Sequence, residues 1–154
     1  MADLERFIEM HKIHYDKALI EIKNGKKRTC WIWYILPIMK GLRNSKNSQY
    51  YGIKNFEEAI QYLSNEYLRL HLIEMCKAIL DLGNIDISEV MGYIDDEKLK
   101  QCMTLFNKVE QEKKIDCKNI FKEVLSKYYN GEEDQKTLEI LQNQENEKNK
   151  KINS

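Results

Sequence analysis

A single proline, Pro37, and six glycines are the only strong helix breakers in 154 residues. Inside a helix proline costs about 3 kcal/mol and glycine about 1 kcal/mol relative to alanine, so a chain this poor in both is free to form long helices. Leu, Ile, Lys and Glu fill the intervals, and apolar residues recur with the period of one helical face. The fold class read from this is all-α. A chain of this length makes one domain and hides roughly two thirds of its unfolded surface, so it needs no disulfide or metal staple.

The periodicity predicts about six helices. The first runs over residues 3 to 24, with Leu4, Phe7, Ile8, His11, Tyr15, Ala18, Leu19 and Ile22 on one face, Asp3 as its cap and Asn24-Gly25 as its stop. "CWIWYI" begins a helical turn that Pro37 breaks, and "GLRNSKNSQYYGIKN" reads as a loop. Asn55 caps a helix carrying Phe56, Ala59, Ile60 and Leu63, and a longer one over 66 to 82 is apolar on several faces and reads as central. "ISEVMGYIDD" gives a short helical turn. Leu99, Cys102, Met103, Phe106 and Val109 mark a helix capped by Asp95 or Asp96, and Asp116 caps another over 117 to 129. Asp134 starts a last short helix through Leu138 and Leu141. Residues 1–141 therefore form the domain, and residues 142–154, with almost nothing to bury, read as a disordered polar tail.

Lys plus Arg and Asp plus Glu balance at 25 each, so net charge gives no support to a nucleic-acid binder. No apolar run reaches the roughly 20 residues that span a bilayer, and the N-terminus lacks a signal-peptide core. Four scattered cysteines, none in a C-x-x-C pair, point to reduced thiols in the cytoplasm and away from structural zinc. His11 and His14 lie three apart without a completing ligand, so no metal is expected. No cofactor is expected, since the chain has no P-loop, dinucleotide-binding or nucleophile-elbow motif.

The densest chemistry lies in "GKKRTCWIWYILPIMKGL", residues 25 to 42, followed by "SQYYGI", and in "MGYIDDEKLKQCMTLF", residues 91 to 106. These two blocks, in this order, resemble the family of bacterial and eukaryotic proteins known as domain of unknown function 1810, whose usual patterns are G-x-K-R-S-H-W-M-W-F-I-F-P-Q and D-D-x-K-L-R-S-S-M-T-L-F. The resemblance covers the chain to residue 141 and implies a compact all-α fold of about six helices; it implies no activity. Cys30 stands where the pattern has histidine, Ile38 where it has glutamine, Lys100 where it has arginine, and Gln101-Cys102 where it has two serines.

Cationic side chains beside large aromatic faces suit a phosphate joined to a stacking base. On this reading Lys27 and Arg28 hold phosphate and Trp31 or Trp33 stacks. Two tryptophans two residues apart point in different directions, which makes one of them core. From the second block, Asp96, Lys98 and Thr104 meet polar groups of the ligand, and Ser48 and Tyr51 close over it. Each has a plainer reading: Thr104 bonded back to its own helix, the aspartates as caps, the tyrosines pinning their loop. Cys30 beside Arg28 is the thiolate candidate, against an inert cysteine.

The function expected from these residues is that of a cytoplasmic small-ligand-binding protein, its ligand anionic and nucleotide-derived. The alternatives are a protein-interaction module with a helical groove, and a hydrolase or transferase acting on a nucleotide or ADP-ribose-like ligand with Asp96 as acid or base. Nucleic acid and membrane are not expected partners.

Overall fold

The computed structural model describes residues 3–153. Among them nine helical segments succeed one another: α1 (Glu5–Lys23), α2 (Ile32–Ile35), α3 (Lys46–Tyr51), α4 (Phe56–Ser64), α5 (Glu66–Leu80), α6 (Ile87–Met91), α7 (Asp95–Lys113), α8 (Ile120–Tyr129) and α9 (Gln135–Asn153). The excess over six comes from the short α2, α3 and α6: α2 and α6 fall where helical turns are expected, and α3, capped by Ser45, forms within the stretch that reads as a loop. No strand forms among the described residues. One parallel bridge, Met39 to Ile53, ties the segment after Pro37 to the end of α3.

The core is a layer of α1 and α4 on α5 and α7, backed by α8. Phe7, Ile22, Tyr62, Leu72, Ile79, Leu99, Phe106 and Phe121 fill it and are fully buried. The helix expected to be central, α5, packs on α1, α4 and α8, and α7 shares the centre through α4, α6, α8 and α9. Its length hides this in the sequence, because α7 is buried around most of its circumference and its apolar stripe is diluted by Lys98, Gln101, Thr104 and Glu110.

Several helix starts move. Asp3 does not cap α1; its carbonyl accepts from Arg6 instead. Asp95 and Asp96 sit inside the first turn of α7, whose cap, Ile94, has φ of 80°. Such a conformation is strained for a β-branched residue. Asp116 binds the Lys118 N–H, and α8 begins three residues later than expected, at Ile120. Asn55 and Asp134 do cap, accepting from Glu58 N at 2.9 Å and Thr137 N at 2.9 Å.

Residues 142–153 of the expected tail are helical, not disordered, and Ser154 lies outside the described residues. Gln, Glu and Lys are good helix formers, and once α9 is nucleated at the core by Leu141 they continue it. Gln144 reaches the Lys54 carbonyl at 2.9 Å and Lys148 reaches Glu57 at 3.4 Å.

Buried glutamates set the loops. Glu58 pairs with Arg6 at 2.7 Å and accepts the Lys54 N–H, while Arg6 also donates to the carbonyls of Tyr50 and Gly52. Glu110 accepts from Cys117 N at 2.7 Å and Asn119 N at 3.0 Å. At Gly52 a Cβ would stand 2.5 Å from the Ser48 carbonyl and 2.7 Å from Lys40 Cα, so only glycine lets these backbones meet.

Candidate functional site

The stretch from Lys26 to Trp31 takes its shape from Glu21, on the last turns of α1. One of its carboxylate oxygens accepts from Arg28 N at 2.7 Å, Thr29 N at 3.1 Å and the Trp31 indole N–H at 2.8 Å, and the other accepts from the Thr29 hydroxyl at 2.7 Å. Burial alone would push this carboxyl's pKa up. The bonds from Arg28, Thr29 and Trp31 outweigh it and bring the value down to about 2. Trp31 is thereby fixed as a core residue, 2% exposed, and is not available to stack on a ligand.

The backbone here separates the basic residues. Lys26 and Arg28 line a cavity of about 520 Å³ with Lys17, Ile20 and Asn24 at the end of α1. Lys27 goes the other way, toward α7, where its ammonium meets Asp95 at 2.8 Å. Arg28 and Lys27 therefore do not share one phosphate.

Asp95 holds a second cation, Lys98, at 3.2 Å. The Lys98 ammonium lies 3.6 Å from the centroid of the Trp33 ring, a cation–π contact worth about 0.5–2 kcal/mol. Burial lowers the Lys98 pKa; Asp95 opposes the shift, and Arg43 and Lys27 add to it. Arg43 is thus the third cation of the group. It pairs with Glu97 at 3.2 Å, yet its Nε–H is buried without an acceptor. Gln101, one turn beyond Glu97 and 1% exposed, has an Oε1 without a donor. Lys27, Trp33 and Lys98 are the predicted residues that the fold brings together; Asp95 and Arg43 join them.

The remaining candidates are spent elsewhere. Thr104 is fully buried, donating to the Lys100 carbonyl at 2.8 Å and accepting from Asp134 N at 2.9 Å, so it joins α7 to α9. Asp96 accepts from Glu97 N at 2.8 Å, and its carbonyl accepts from the Tyr129 hydroxyl; the carboxylate facing the lysines is Asp95. Ser48 is buried and donates to the Ser45 carbonyl at 2.8 Å. Tyr51 packs on Tyr34 and Phe7, in a turn that Arg6 pins to α4, which is no lid geometry. Cys30 is exposed, and the other three thiols are buried.

A larger cleft, about 1140 Å³, opens between α4, α7 and the outer half of α9, far along the chain from the cationic group. Buried His11 and half-buried His71 pair through their Nδ1 atoms, 2.9 Å apart. Among the described residues no cluster of three or more metal-ligating side chains forms, and no helix is long and apolar enough to cross a membrane.

The model of a family described as protein of unknown function (DUF1810) matches residues 1–141. The chain belongs to this family. Among solved structures it is similar to the conserved hypothetical protein Rv1873 from Mycobacterium tuberculosis, with a TM-score of 0.84 and 34% identity over 90% of this chain and 96% of that one. No curated protein matches. The DUF1810 match ends at residue 141, so the outer half of α9 lies outside it.

Glu21, Arg43 and Gln101 escape a sequence reading for different reasons. Glu21 looks like a solvated charge near a helix end; its one signal is a position adjoining Ile22 on the buried face. Arg43 sits in a polar loop, and Gln101 interrupts an apolar stripe.

Proposed function

We propose that this DUF1810 protein binds a small phosphorylated ligand, nucleotide-derived, at the corner formed by Lys27, Trp33, Arg43, Asp95 and Lys98. The observation that carries the reading is the Arg43 Nε–H, buried without an acceptor beside the Lys98 and Lys27 cations. An unpaired buried polar group costs about 1–3 kcal/mol, and a native fold keeps few of them. A phosphate ester supplies that acceptor. Three cations against the two carboxylates Asp95 and Glu97 leave the corner one positive charge in excess, which favours an anion. Trp33 adds an apolar wall. The cysteines are all free, which suits a cytoplasmic protein.

The test is a thermal-shift screen against nucleotides, dinucleotides, cyclic nucleotides, ADP-ribose and sugar phosphates. A ligand at a hundred times its Kd stabilises by about 2.7 kcal/mol. A rise that disappears in Lys98→Met and Arg43→Gln supports the reading, and a flat panel refutes it. A second reading, a partner-binding surface, is favoured by one feature: Tyr93 is 90% exposed and Ile94 43% exposed at the tip before α7. Tyr93→Ser leaves ligand shifts intact and abolishes partner capture if that surface is the functional one.

A further inference from the structure

We propose that Lys98 is a reactive amine that condenses with the carbonyl carbon of a phosphorylated aldehyde or ketose to form an imine. The inference rests on the proposed anion site and names the chemistry that site would perform. Three features of the geometry support it. The Lys98 side chain is 7% exposed and lies against the Trp33 ring, so its ammonium has lost most of its hydration. Its one carboxylate partner is shared: Asp95 gives its shorter contact, 2.8 Å, to Lys27 and 3.2 Å to Lys98. Lys27 and Arg43 supply further positive charge to the same corner. Desolvation and neighbouring cations are the two devices that turn a lysine into a nucleophile at neutral pH. The lowered pKa of Lys98 agrees with this.

The chemistry balances within the site. Lys98 loses a proton to solvent, and the free amine adds to the carbonyl carbon as the C=O π pair moves to oxygen. A proton then passes from nitrogen to that oxygen, giving the carbinolamine. The hydroxyl takes a further proton and leaves as water while the nitrogen lone pair forms the C=N bond. Asp95, in contact with the lysine nitrogen, is placed to carry protons between nitrogen and oxygen, and Lys27 and Arg43 hold the phosphate.

The whole protein is incubated with glyceraldehyde 3-phosphate and sodium cyanoborohydride, and adducts are mapped by peptide mass spectrometry. Lys98 is expected to label at least about tenfold faster than the exposed Lys12 and Lys23, as an activated amine does. Pyrophosphate should slow it severalfold, and Lys98→Arg, which keeps a cation beside Asp95, should remove that adduct alone. Labelling of Lys98 no faster than of Lys12 overturns the inference. Should nucleotides or pyrophosphate bind by calorimetry while Lys98 stays unlabelled, the inference fails and the anion site stands. Fast labelling by unphosphorylated glyceraldehyde, unaffected by pyrophosphate, upholds the amine and removes the anion site.

Discussion

Acid should loosen the seam between α1 and α5 through one histidine. His11 Nε2 lies 2.7 Å from the Tyr34 carbonyl, so it carries the proton and donates; its Nδ1 must then accept from His71 Nδ1, 2.9 Å away. The two rings are coplanar within 1° with centroids 5.1 Å apart, a head-on arrangement that holds one proton between the nitrogens. Protonating His11 would set two N–H groups against each other. Burial, with His71 adding and the Tyr34 bond opposing, lowers the His11 pKa to about 4 from 6.5. Because the folded value is the lower one, the stabilisation is complete above pH 6.5 and is lost as pH falls toward 4. The difference amounts to about 3 kcal/mol. Urea unfolding of wild type and His11→Leu at pH 7.5, 6, 5 and 4 measures it. Wild type should lose about 3 kcal/mol more than the variant over that span, because other titrating groups are common to both. Parallel losses would refute the argument.

Four further outcomes follow from the packing. Gly52→Ala should cost about 2 kcal/mol or more in chemical unfolding, since its Cβ meets backbone atoms that cannot swing away. Arg6→Met should cost about 3–5 kcal/mol by leaving Glu58 buried and unpaired, read by the same method. Thr104→Val should cost about 1–3 kcal/mol by stripping the Asp134 N–H of its acceptor, and hydrogen exchange at the start of α9 should speed up. Lys148→Ala should change stability by less than about 1 kcal/mol, because its ion pair with Glu57 is exposed on both sides.

The long amphipathic helices were legible because burial on one face writes a period into the sequence. Phe7, His11, Tyr15, Ala18 and Ile22 of α1 do face the core. Of the short helices, α2 and α6 show in the sequence as helical turns, whereas α3 is hidden in a stretch rich in Gly, Asn and Ser that reads as a loop. For the candidate site, the sequence holds Lys27 and Trp33 in one block and Lys98 in another, and the topology brings them to one corner. The division of Lys27 from Arg28 needed the backbone direction. So did the fate of Trp31, which hangs on a hydrogen bond to Glu21 that no local spacing encodes.

Glu21 grips the turn after α1 through the main-chain amides of Arg28 and Thr29, the Thr29 hydroxyl and the Trp31 indole, and none of these bonds uses the side chains of Lys26, Arg28 or Cys30. A loop clamped in this way keeps its path whatever those side chains are. Substitutions at Lys26, Arg28 or Cys30 should therefore leave the path of the turn unchanged. The carboxylate that makes the segment rigid is also what leaves its recognition chemistry free to diverge.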